Sequence, residues 1–164
     1  MMRVLLTLLG IVAIVVYSLL GATLMNDWVL VAASEVPLET TIADMDAAGQ
    51  AYTAIPGLAF AAVGVLLALA WGASTLFRRT SFPGWATVLV WAAIATLGAP
   101  AYFFTSFANL NSVGDTYFDW NAEAAFALEA PLYMASGIAF LVVVAMMVTA
   151  AIKATARKRP SPVT

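Results

Sequence analysis

Four long apolar stretches, separated by short polar ones, set the pattern of the chain. The first, residues 4–25, runs for 22 residues without a charge, about 33 Å of helix at 1.5 Å per residue, which is enough to cross a hydrocarbon core of roughly 30 Å. Residues 51–77, 82–107 and 124–152 follow, the last uncharged from 130 onward. Each is long enough to span. Between the second and third lie only Arg78, Arg79, Thr80 and Ser81, so the two helices they join are antiparallel neighbours, with Ser81 as an N-cap and Pro83 in the first turn. The pattern predicts an all-α membrane protein, a four-transmembrane-helix up-down-up-down bundle. It forms one domain over residues 1–153, with outer loops at 26–50 and 108–123 and a basic, disordered tail at 154–164.

Charge gives the bundle a direction. All seven basic residues (Arg3, Arg78, Arg79, Lys153, Arg157, Lys158, Arg159) fall at the N-terminus, the central link or the C-terminal tail. Four crossings put these on one side, and the positive-inside rule makes that side cytoplasmic, with both termini inside and the chain in the plasma membrane. Asp27, Glu35, Glu39, Asp44 and Asp46 lie in the first outer loop, and Asp115, Asp119, Glu123 and Glu129 in the second and the start of helix four. Trp28, Tyr52 and Trp120 on one side and Trp71 and Trp85 on the other suit the two interfacial belts. The rival reading makes the first run a signal peptide with Arg3 as its charged start, cut near Ala32 and Ala33 to leave three spans. Its apolar stretch exceeds the roughly 7–15 residues usual for such a segment.

Composition agrees with a lipid solvent: 63% of residues are hydrophobic, 10% are charged and mean hydropathy is +0.96, whereas soluble domains are about half apolar and a quarter charged. With neither Cys nor His, the chain cannot supply a disulfide relay, imidazole ligands for haem or zinc, or a Cys–His dyad. No cofactor and no metal are expected.

Smaller patterns carry the candidate functions. In the first outer loop Leu38, Ile42 and Met45 recur at i, i+4 and i+7, which predicts a short amphipathic helix capped by Ser34, with Pro37 in its first turn and Glu35 and Glu39 one turn apart. It reads as a solvated acidic loop whose apolar edge rests on the bundle, or as a docking lid or weak cation site; an EF-hand's alternating ligands and Gly turn are missing. Helix two carries Gly57, Ala61, Gly64, Ala68 and Gly72 as a strip of small residues, suited to packing the bundle's own helices or to dimerisation. Pro56 and Pro100 are expected to bend helices two and three.

On helix four Glu129, Tyr133 and Ser136 share a face. Turned inward, that face would meet Gln50 and Thr53 of helix two and Tyr102, Thr105, Ser106 and Asn109 of helix three, forming an outward-open polar pocket with Glu129 as its ionisable group. The alternative makes Glu129 an acid at a helix start, stabilised in the wet interface by the helix dipole. Residues 116–128 interleave Tyr117, Phe118, Trp120 and Phe126 with Asp119, Asn121 and Glu123, as an interfacial helix or an extension of helix four. The basic tail attracts anionic lipid, and four tail charges without groove-reading chemistry give no nucleic-acid site.

Gly114, Asp115, Phe118 and Asn121 loosely resemble the stretch before the second catalytic Asp of lipoprotein signal peptidases. Helix three offers no matching first acid, reading Gly98, Ala99, Pro100, Ala101, Tyr102, Phe103, so the resemblance stops short of an aspartic dyad. The reading is a non-enzymatic membrane protein, an accessory or scaffold subunit whose partners are the lipid bilayer and other membrane subunits or copies of itself. The alternative is a small transporter or ligand-binding protein using the pocket around Glu129.

Overall fold

The computed structural model describes residues 2–77 and 83–157. The link at 78–81 with its Ser81 cap, and the tail at 158–164, lie outside the described residues. Every described element is helical: α1 (Met2–Thr23), a π-helical turn (Leu24–Trp28), α2 (Val29–Ser34), α3 (Leu38–Ala47), α4 (Ile55–Phe77), α5 (Gly84–Thr116) and α6 (Ala122–Arg157). Four helical stretches are long and apolar enough to cross a membrane: Val4–Ser34, Ile55–Phe77, Gly84–Thr116 and Ala122–Ala156. This is the build of a multi-pass membrane protein.

Several expected boundaries move: helix two, expected from 51, starts at Ile55, after the non-helical residues 51–54, and three further moves have a local reason. The first helix does not end at 25. The apolar Val29–Ser34 sequence continues it, and the chain breaks only where Glu35 turns left-handed (φ 60°) ahead of Pro37, so the loop expected over 26–50 is largely helical. The third helix runs on to Thr116 instead of 107, because no proline interrupts its polar end. The fourth begins at Ala122, where Asn121 accepts the Ala124 N–H on Oδ1 at 2.9 Å as an N-cap. Of the two readings of 116–128, the helical extension holds from 122, while 117–121 form a non-helical corner.

Prolines also fall differently from expectation. Pro56 occupies the first turn of α4, where a missing N–H costs nothing, so it starts that helix and does not bend it. Pro100 and Pro131 lie inside α5 and α6, each removing one helical hydrogen bond.

The contacts give the helix directions. Going along α4, Gly57 meets Asn26, Gly64 meets Ser18 and Gly72 meets Ile11, so α4 runs antiparallel to α1 with its small strip against it. Ala68 is fully buried and Ala61 partly so. A Cβ on Gly72 would come within 2.5 Å of Ile11, and one on Gly64 would collide with the Ser18 hydroxyl, which is why the strip is small. Gly98 of α5 meets Tyr17 and Asn109 reaches Met25, so α5 runs parallel to α1. Ser136 of α6 bonds Ala95 and Glu129 bonds Tyr102 of α5, so α6 is antiparallel to α5.

The outer surface of the bundle is apolar along its length: Leu9, Val12, Leu58, Leu66, Leu97, Phe104, Ile138 and Leu141 are all exposed. Such a surface suits a lipid surround. Inside, the larger core gathers at the end that carries the acids and joins Met25, Val29, Leu30 and Ala33 to Met45, Val113, Ala125 and Leu132. The short elements α2 and α3 are thus part of the same core as the spans.

α3 is the amphipathic helix expected in the first loop, with two differences. Pro37 takes the N-cap position, and Ser34 caps no backbone N–H there, its Oγ lying 2.7 Å from Thr41 Oγ1. Thr41 and Met45 are buried, whereas Ile42 is only partly covered. The helix closes on Gly49 at φ 74°, with Gly49 N–H on Asp46 O (3.0 Å) and Gln50 N–H on Met45 O (2.8 Å). That paired C-cap needs the left-handed residue that glycine supplies.

Candidate functional site

The polar groups toward the acid-bearing end divide into three sets. The first centres on Glu129, which is 5% exposed beside a fully buried Tyr102. Because α6 begins seven residues earlier at Ala122, Glu129 is about two turns in, beyond the first-turn reach of the helix dipole. The helix-start reading of this acid therefore fails. Tyr102 donates its hydroxyl to Glu129 Oε1 at 3.0 Å, and the Tyr102 ring is in edge contact with Tyr133 and with Phe60 of α4, at centroid distances of 5.9 and 6.0 Å. Phe126 stacks on Tyr133 at 6.1 Å. One turn beyond Tyr133, Ser136 lies 2.9 Å from the Tyr17 hydroxyl and donates to Ala95 O at 2.7 Å. All four spanning helices thus contribute to one aromatic and carboxyl cluster, buried at Phe60, Tyr102, Glu129 and Ser136.

The second set is an amide clip. Asn109 accepts the Thr53 N–H on Oδ1 at 3.1 Å and donates Nδ2 to Thr53 O at 2.8 Å, with a longer contact to Met25 O at 3.5 Å. Met25 and Asn26 belong to the π-helical turn, whose extra residue per turn displaces carbonyls from the regular ladder. Asn26 O accepts from the Tyr52 hydroxyl at 3.0 Å, and Asn26 Nδ2 donates to Ala54 O at 3.1 Å. These bonds satisfy the non-helical backbone entering α4. Gln50 belongs to a third place, a depression of about 430 Å³ lined by Glu39, Ile42, Asp46 and Tyr52.

The expected pocket residues are therefore not one site. Glu129, Tyr133, Ser136 and Tyr102 come together; Asn109 holds backbone; Gln50 lines the outer depression; Thr105 donates its hydroxyl to Ala101 O at 2.7 Å on its own helix. The cluster around Glu129 is also covered, not open to the outside. Tyr17 and Phe60 belong to it and escaped the sequence reading. Tyr17 had a signal, as the one aromatic residue in the 4–25 run. A cavity of about 110 Å³ adjoins Tyr17, Phe60, Gly64 and Gly98.

Above this cluster the short elements form a cap pinned from both sides. Asn121 donates its N–H to Ala33 O (2.7 Å) and its Nδ2 to Glu35 Oε1 (2.7 Å), fixing the left-handed Glu35. Tyr117 donates to Asp44 Oδ2 at 2.7 Å, tying the corner after α5 to α3. Burial, then its bond to Asp44, holds the Tyr117 phenol above its ordinary value of 10.0, and burial with the Asp27 charge does the same for Tyr52. The cap presents Glu39, Asp46, Asp115, Asp119 and Glu123 outward, and Phe118 stands 98% exposed among them. Among the described residues no group of three or more Asp or Glu side chains is placed to hold a metal ion. Compared with protein-family models, curated proteins and solved structures, the chain finds no match.

Proposed function

We propose that the chain is a non-enzymatic accessory subunit of a plasma-membrane assembly, oriented with its basic end in the cytoplasm and its acidic cap outside, and that it docks through that cap. The observation that carries this reading is the cap itself: a packed, hydrogen-bonded platform with its acids pointing away from the bundle and a wholly exposed Phe118 at its rim. Exposed aromatic anchors ringed by charge are typical of docking surfaces. With no base in the sequence of either acid-bearing segment, 26–50 or 108–129, these acids find their counter-charge on another molecule. Isolation of the tagged protein in mild detergent tests the reading. The expected result is a stoichiometric membrane partner that is lost with Phe118→Ser or with Glu39→Lys and Asp46→Lys together, while the subunit itself stays folded. Recovery of the chain alone contradicts it.

A second reading, a small ligand-binding or transport protein, is favoured by one observation: a buried carboxyl bonded to Tyr102, whose ring touches Tyr133 and Phe60, with a small cavity adjoining Phe60 and Tyr17. Aromatic faces with a carboxylate suit an organic cation. Glu129→Gln separates the two, since it abolishes cation binding under the second reading and leaves partner recovery unchanged under the first.

A further inference from the structure

At the opposite end of the molecule from the cap, α6 parts from the bundle. Its first half buries Glu129, Leu132, Ser136 and Ala139, but beyond Ala139 no described residue of α6 is buried. Between the second half of α6 and the start of α5 lies a groove of about 610 Å³, lined by Trp85 of α5 and by Ala145, Met146, Thr149, Ala150 and Lys153 of α6, within the range of roughly 300–1,000 Å³ typical of small-molecule sites. The α6 residues fall at i, i+1, i+4, i+5 and i+8, on one helical face. Their small side chains flatten that face and leave the space. At this depth in a bilayer a gap between helices takes hydrocarbon, because water there would lack partners.

The charge at the mouth of the groove decides what kind of lipid. Lys153 has no acid within reach: Glu129, the nearest one on its helix, is 24 residues away, about 36 Å along the axis. The flanking sequence adds only bases, Arg157, Lys158 and Arg159 after it and Arg78 and Arg79 shortly before α5. Trp85 is 58% exposed, an amphipathic ring of the kind favoured at headgroup level.

We propose that this groove seats one molecule of an anionic phospholipid, its acyl chain against Trp85, Met146 and Ala150 and its phosphate at Lys153. Each basic side chain near an anionic membrane surface contributes about 1 kcal/mol, or about fivefold in affinity, so Lys153 supplies the preference and the flattened α6 face supplies the fit.

Brominated acyl chains quench tryptophan on contact, which makes Trp85 the reporter. The protein is reconstituted in phosphatidylcholine vesicles doped with brominated phosphatidylglycerol or brominated phosphatidylcholine, and the Trp85 signal is taken as the difference from Trp85→Phe. The expected result is half-quenching at a several-fold lower mole fraction of the glycerol lipid. Lys153→Gln should raise that fraction about fivefold and Lys153→Arg restore it, while Ala150→Phe should block quenching by either lipid. All of these positions except Met146 are exposed, and unchanged thermal unfolding verifies that the variants remain folded. Equal quenching by the two lipids, or a preference that survives Lys153→Gln, overturns the proposal. So does displacement of the quencher by millimolar inorganic phosphate, since that would make the site one for the free ion.

Discussion

Tyr102 and Glu129 form a pair that neither helix can support alone. Buried polar groups cost little while paired and much when one partner is removed. Tyr102→Phe leaves the Glu129 carboxyl without its donor and should lower stability by about 1–3 kcal/mol. Combining it with Glu129→Leu should cost less than the two single losses added together, with a coupling of about 0.5–3 kcal/mol in a double-mutant cycle followed by thermal unfolding in detergent. Strict additivity would show that the 3.0 Å contact contributes nothing. The Tyr117 bond to Asp44 has a pH signature. Folding raises the phenol above its ordinary 10.0, so the stability it contributes is complete below that value and is lost as the pH rises through the raised one. Phenolate absorbance of the protein minus that of Tyr117→Phe should titrate above the ordinary tyrosine range, and amide exchange of α3 should quicken over the same interval. Asp44→Asn should move the titration back down.

At the scale of elements, the strip on α4 is the most exacting contact. Gly64→Leu would drive a side chain into Ser18 of α1, and overpacking of this kind costs about 1–3 kcal/mol; the check is loss of the folded monomer in detergent, with Ala62→Leu on the exposed side of the same helix as the harmless control. The small strip, the four apolar runs and the amphipathic α3 were all legible because each is a periodicity, and periodicity survives without knowledge of neighbours. What was illegible depended on partners distant in sequence. Asn109 was assigned to a pocket, yet its amide closes on the Thr53 backbone. Polar side chains in a span look alike until it is known which backbone groups lack partners, and here a π-helical turn and a proline-started helix create that need. Helix ends were misplaced for a related reason: tertiary packing of Val29, Leu30, Ala33 and Val113 carries α2 and α5 beyond the point where hydropathy alone would stop them.

Taken whole, the molecule is polarised. Its acids and its larger core lie at one end, and Lys153 and the parted half of α6 lie at the other. A four-helix bundle with one well-packed end presents a hydrogen-bonded cap at that end and a looser groove at the other. This account stands on the direction of that axis across the membrane, and the chain is suited to a direct test because it contains no native cysteine. Single cysteines at Asp46, Asp119 and Thr155, all exposed positions, are treated in intact cells with a membrane-impermeant thiol reagent. The account predicts labelling of Asp46→Cys and Asp119→Cys from outside, and of Thr155→Cys only after the membrane is opened. Labelling of Thr155→Cys in intact cells, or opposite behaviour at Asp46 and Asp119, would contradict it.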